Sequence, residues 1–293
     1  MKTTSRLIAA LLGAGVVLGS SLSTSAQTFY LNPIPEEDPT LGLRYLHANL
    51  QGNLEQTTFS GTYDFYLEIP LSDGLGFDFS LPYSRVSYFP GPDQFGMPRL
   101  KVEQSALGNV YFGMHFTNKL SEHTKSVLSM GIHFPSASDN YNSLEAVSYG
   151  MLANLHQMRR SLPDAWIVYW NMVWRIETSA GSILGFEFGP EAWIPEGGVH
   201  GNEELLCHYG FSVGAGTSHF TILTEIMGLC MATEDFEDFG DRFDHHLAFG
   251  IGVRNYFIRP SLWYQIPFDD DTREVLEGVI GFQIEISLPK EGP

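Results

Sequence analysis

From about Thr57 to Leu288 the chain alternates apolar and polar side chains with a period of two, segment after segment. Between Thr57 and Ile69 one row carries Phe59, Tyr63, Phe65, Leu67 and Ile69, and the other carries Thr58, Ser60, Thr62, Asp64, Tyr66 and Glu68. Successive side chains of a strand point to opposite faces, so such a segment is a β-strand between an apolar medium and a polar one. Turn chemistry separates thirteen candidate strands, near 41–50, 57–69, 75–88, 107–117, 126–134, 146–156, 165–176, 182–193, 203–215, 220–231, 244–254, 257–267 and 277–288. Single-chain bacterial barrels have an even strand number. The expectation is therefore an all-β fold, a transmembrane antiparallel up-and-down β-barrel of about 12 strands. Placing 41–50 outside the barrel or joining the segments across Thr178–Gly181 would make the number even.

The connections alternate in length as well. Ser72-Asp73-Gly74, Thr217–His219 and Asn255-Tyr256 are tight, whereas 89–105, 135–145, 232–243 and 268–276 are long. Short turns at one end and long polar loops at the other mark an outer-membrane barrel, the short ones being periplasmic. Tyr83, Phe134, Trp166, Tyr264 and Phe268 lie near strand ends, where aromatic girdles sit. A soluble β-sandwich or lipid-binding barrel also alternates, but the strand lengths match the ~9–11 residues of a tilted membrane strand.

The N-terminus supports export. Lys2 and Arg6 precede the apolar run Leu7–Leu18, and Thr24-Ser25-Ala26 forms a cleavage site. The organisation expected is a signal peptide over 1–26, an extended periplasmic leader over 27–40 with Pro33, Pro35 and Pro39, and an outer-membrane barrel over 41–293. Cleavage after Ala26 leaves 267 of the 293 residues, with 14 basic side chains against 34 acidic ones. That balance excludes nucleic acid as a partner. The acidic clusters Glu234–Asp238 and Asp269–Asp271 lack the spacing of a calcium loop and read as solvated loops.

The hairpin around Ser218-His219 can be read in register. Val213 faces Thr224, Phe211 faces Ile226, Tyr209 faces Gly228 and Cys207 faces Cys230, while Ser212 faces Glu225 on the other face. Cys207 and Cys230, the chain's two cysteines, become neighbours, and export makes a disulfide between them one of two open states. The polar row assigned to the lumen comprises Asp64, Glu68, Asp78, His115, His133, Asn154, Arg175, Glu187, Glu225, Arg254, Arg259 and Glu285. These side chains either line a pore or pair to fill a narrow interior. No catalytic, cofactor or metal motif is present: G-x-S-x-G, H-E-x-x-H, P-loop and C-x-x-C patterns are all lacking.

Three stretches carry a family resemblance: Leu75-Gly76-Phe77-Asp78-Phe79-Ser80-Leu81-Pro82-Tyr83, Leu107-Gly108-Asn109-Val110-Tyr111-Phe112-Gly113, and Met130-Gly131-Ile132-His133-Phe134-Pro135. They resemble outer-membrane barrel transporters associated with meta-cleavage phenol degradation. Asn109 stands where that family usually has Asp. The resemblance implies a Gram-negative outer-membrane channel or transporter for small, aromatic or apolar solutes, without a cofactor. Its partners would be outer-membrane lipid and solute, and it would act as a monomer. A structural or adhesive barrel with acidic surface loops and a soluble periplasmic β protein are the alternatives.

Overall fold

A computed structural model describes residues 38–51, 55–56, 60–89, 101–137, 140, 142–196, 203–233, 239–254 and 256–288. The signal segment, all of the leader before Asp38, and the acidic run Glu234–Asp238 lie outside the described residues. The strands are β1 (Thr40–Leu50), β2 (Glu55–Gln56), β3 (Gly61–Ser72), β4 (Leu75–Phe89), β5 (Val102–Leu107), β6 (Tyr111–Lys119), β7 (Thr124–His133), β8 (Ala165–Glu177), β9 (Ser182–Pro195), β10 (Glu204–Gly216), β11 (Phe220–Met231), β12 (Phe243–Val253), β13 (Ile258–Pro267) and β14 (Leu276–Ser287).

Twelve of these close into an antiparallel barrel. Each strand pairs with its neighbour in sequence, β1 closes on β14, and the first half of β4 pairs with β6. The second half of β4 rises past β6 and carries the accessory strands β2 and β5 on its two edges. Asp73 and Gly74 make the tight β3–β4 turn, with Gly74 at a φ of +82° that an L side chain rarely adopts. All the short turns fall at one end, with the start of β1 and the end of β14, and the long connections fall at the other. By the rule for bacterial barrels the short-turn end is periplasmic.

Segment 41–50 is a barrel strand as expected, paired on both edges, and the segments on either side of Thr178–Gly181 are separate strands, so neither accounts for the odd count. The surplus candidate is 146–156, which is helical: α1 (Leu144–Ala153) is followed by a 3₁₀ turn, η1 (Leu155–Arg160). Ala146, Val147, Tyr149, Gly150 and Ala153 are buried, a spacing that follows one helix face. In the same residues Val147, Tyr149, Met151 and Ala153 also alternate, and that row mimics a strand. The expected loop 89–105 likewise contains part of β5.

The β10–β11 hairpin has the expected register, Cys207 opposite Cys230 and Ser212 opposite Glu225. The Thr217 amide donates to the Phe220 carbonyl and the Ala232 amide to the Leu205 carbonyl. Hydrogen-bonded pairs recur every second residue, so Cys207–Cys230 is also one. Opposed Cβ atoms at such pairs sit toward the wide end of ~4.5–5.5 Å, beyond the ~3.5–4.5 Å of a disulfide. Both cysteines are free thiols.

Candidate functional site: a plugged lumen

The two rows of each strand meet different media. Phe112, Met114, Trp170, Phe186, Phe211, Ile226, Phe249, Leu262 and Phe282 are among the large apolar side chains exposed on the outer wall. At the long-loop end the belt is rimmed by aromatic rings: Tyr45, Tyr63 and Tyr83 stand side by side with centroids 5.1 and 6.2 Å apart, and Phe134 lies 5.2 Å from Trp166. A soluble protein does not leave a continuous apolar belt of this size open to water. The inner row carries the charged and hydrogen-bonding side chains, interspersed with apolar ones such as Leu46, Leu223, Met227 and Trp263.

Every residue assigned to the lumen from a barrel strand, or from the end of one, has its side chain on the inner row. They form separate groups. At the short-turn end Arg254 pairs with Glu177 at 2.8 Å and Arg259 with Glu285 at 3.4 Å, while Tyr66 donates to Glu285 at 2.6 Å. Arg175 lies in the field of Glu225, Glu177 and Glu187. On another part of the wall Glu68 stands directly opposite Asp78, which pairs with His115 at 2.8 Å. His133 lies against the Tyr111 ring, centroids 4.8 Å apart. Gly113 and Gly131 face each other beside Tyr111, and a Cβ on either would collide with its ring or hydroxyl. Asn154 is buried in the link between α1 and η1 and belongs to no strand.

The interior is occupied by α1 and η1, which lie in the connection between β7 and β8 at the long-loop end. The apolar face of α1 joins one buried cluster with Leu46, Ala48, Val86, Ala106, Leu276 and Val279 from β1, β4, β5 and β14. The Tyr149 hydroxyl accepts from the Ala48 amide at 2.9 Å and donates to the Ala48 carbonyl at 3.2 Å.

η1 then crosses the lumen. Arg159 pairs with Glu191 of β9 at 2.8 Å, and Arg160 pairs with Asp64 of β3. Six strands separate β3 from β9 one way around the barrel and four the other way, so two consecutive arginines grip nearly opposite walls. Arg159 also lies 4.7 Å over the Tyr169 ring, a cation–π contact. All four charged partners are largely buried, and a buried ion pair that loses one partner leaves a costly uncompensated charge.

Asn109 clasps the segment at both ends. Its amide nitrogen donates to the Arg159 carbonyl at 2.9 Å and the Leu162 carbonyl at 2.6 Å, and its amide oxygen accepts from the Ala137 amide at 3.0 Å. Its backbone amide donates to the Arg160 carbonyl at 2.7 Å. An aspartate carboxylate has no proton to give those two carbonyls, so an asparagine here suits the inserted segment.

His156 is a further buried polar residue of η1. Its ring meets the His208 ring edge to face, centroids 5.5 Å apart. Burial, reinforced by His208, pushes the His156 pKa down to about 3. His208 lies 3.3 Å from Glu187 and 3.2 Å from Asn171. Sequence reasoning missed Arg159, Arg160, His156, Tyr149 and Glu191; the signal available was an adjacent arginine pair in a segment that also fits a helix.

Among solved structures the fold is similar to an outer-membrane channel from Pseudomonas putida F1, with a TM-score of 0.58 at 10% identity over 92% of this chain and 99% of that one. The chain is an outer-membrane β-barrel. Weaker likenesses are to LpxR from Salmonella typhimurium, with a TM-score of 0.44 at 9% identity over 85% of this barrel and 100% of that chain, and to the P. putida toluene transporter TodX, with a TM-score of 0.41 at 9% identity over 87% and 91%. No protein-family model matches the barrel's sequence, and no curated protein matches it.

Proposed function

We propose that this barrel is a monomeric outer-membrane channel for small solutes, kept closed by the 134–164 plug, and that it acts as a channel and not as an enzyme. The observation that carries the reading is how the plug is held. The wall is a continuous ladder of paired strands, whereas α1 and η1 join it through apolar contact, two ion pairs and the Tyr149 and Asn109 hydrogen bonds. The plug can therefore leave while every strand pair stays intact. Eight-stranded barrels are filled by their own side chains and those of 16–18 strands hold water, so a twelve-stranded one has room for a removable plug.

With the plug displaced, the inner row meets the solute, and Glu68, Glu225, Arg254 and Arg259 bias its passage through fixed charges of both signs. The fold likeness to an outer-membrane channel supports transport. The resemblance to barrels linked to meta-cleavage phenol degradation supports aromatic or apolar compounds as the solutes. In a planar bilayer the folded protein is expected to give infrequent discrete conductance steps, blocked by aromatic acids more than by neutral sugars. Silence from protein that migrates as a folded barrel, with or without the plug latched, would contradict the channel reading and favour a structural barrel.

A further inference from the structure

The plug carries a titratable group that has nowhere to put a charge. His156 is buried on η1, and neither of its ring nitrogens has a hydrogen-bond partner. The groups around it are cationic or imidazole on most sides: Arg159 from η1 itself, His208 from β10 and His246 from β12. β9 presents Glu187 and Glu191, but Glu191 is held by Arg159 and by the Trp193 indole at 3.0 Å, and Glu187 already lies against His208. β8 presents Asn171 and Tyr169, whose polar atoms face His208 and Tyr111. His246 is taken by Asp244 at 2.8 Å. A proton on docked His156 would thus sit buried beside Arg159 without an acceptor of its own.

We propose that the plug is an acid-released gate, undocked from the lumen when His156 takes up a proton. The inference rests on the reading of 134–164 as a removable plug. In the docked form the imidazole stays neutral, and in the released form it meets water and regains its ordinary pKa of about 6.5. Release lets His156 take up one proton, and through that group alone the ratio of released to docked plug rises up to about tenfold per pH unit below about 6.5. The rise continues until docked His156 itself titrates, at about 3. Between pH 7.5 and 5.0 the expected change is about thirtyfold. In the docked plug a protonated His156 would hold its charge buried beside Arg159, and that cost disfavours docking.

Hydrogen exchange of the full-length folded barrel tests this without requiring conduction. Peptides covering 144–160 are followed from pH 7.5 to 5.0, corrected for intrinsic rates, with β10 and β11 peptides in the same sample as reference. The wild type should show plug opening that climbs by at least about thirtyfold relative to the strands, and His156→Gln and His156→Phe should both cut the climb by about that factor. Two neutral replacements of different shape are used so that loss of packing is separated from loss of the proton. Plug opening that is flat with pH in the wild type, or a climb that is undiminished in both variants, would overturn the proposal. Conductance recorded over the same range separates the two readings: acid-raised exchange with no acid-raised conductance would uphold the gate's release and contradict the channel.

Discussion

The barrel wall and the plug inside it are built from similar side chains but are secured in different ways. In the wall, β10 is paired along its length to β9 on one edge and β11 on the other, and its outer row, including Leu205 and Phe211, faces lipid. In the plug, backbone bonds are mostly local to α1 and η1, and the hold on the wall comes from side chains such as Tyr149, Arg159 and Arg160, with Asn109 reaching in from the wall through its side chain and its backbone amide. A ladder fails only cooperatively, whereas a latch can open alone. This molecule holds two stabilities, and changes can be directed at one and leave the other in place.

The largest separation is expected from the latch. Glu191→Gln leaves Arg159 buried without its anion, which should weaken plug docking by about 3–5 kcal/mol. Hydrogen exchange of 144–160 should accelerate accordingly, with urea unfolding of the barrel unchanged. The reverse experiment attacks the wall. Ile226 faces lipid near the middle of β11, and Ile226→Arg should lower barrel stability in lipid by about 2–4 kcal/mol without altering plug exchange relative to the strands. If both variants moved plug and wall together, the two regions would form one cooperative unit.

A smaller and sharper test is Asn109→Asp. It keeps the shape but removes the two hydrogen bonds donated to the Arg159 and Leu162 carbonyls, at an expected cost of about 1–3 kcal/mol in plug docking alone. Asn109→Ala should do no more damage than Asn109→Asp, since the carboxylate also places a charge against two carbonyl oxygens. The smallest effect concerns the wall's cysteines. Cys207 and Cys230 should both react with a small alkylating reagent in the detergent-unfolded chain without prior reduction, and a reductant should leave the unfolding midpoint unchanged. A protein lacking two titratable thiols would show that the hairpin tolerates a bridge at a hydrogen-bonded pair.

The wall was legible in the sequence because a period of two with one medium on each side leaves little freedom. The register of β10 and β11 followed from one tight turn, and the inner row followed from the polar residues of each strand. The site was not legible to the same degree. Residues 146–156 satisfy a strand's alternation and a helix's face at once, and only the enclosure of Ala146, Val147 and Tyr149 by Leu46, Ala48 and Val86 decides between them. No local pattern announces that Arg159 and Arg160 reach Glu191 and Asp64, because those pairs close across the barrel. Asn109 was visible as a departure from a family pattern, but its reason lies in two carbonyls some fifty residues away in sequence. The state of the cysteines turned on which of two alternating pair types they occupy, and spacing alone does not carry that information.

Whether a separable plug closes a barrel otherwise able to conduct is decided by excising it. Residues 138–163 are replaced with a short Gly-Ser linker, and single-channel conductance is compared with the wild type at neutral pH, using heat-modifiable gel migration to confirm that both are folded barrels. The excised protein is expected to keep the wild-type gel shift and to give long-lived open steps where the wild type is mostly closed. A folded, excised barrel that conducts no more than the wild type would contradict that expectation.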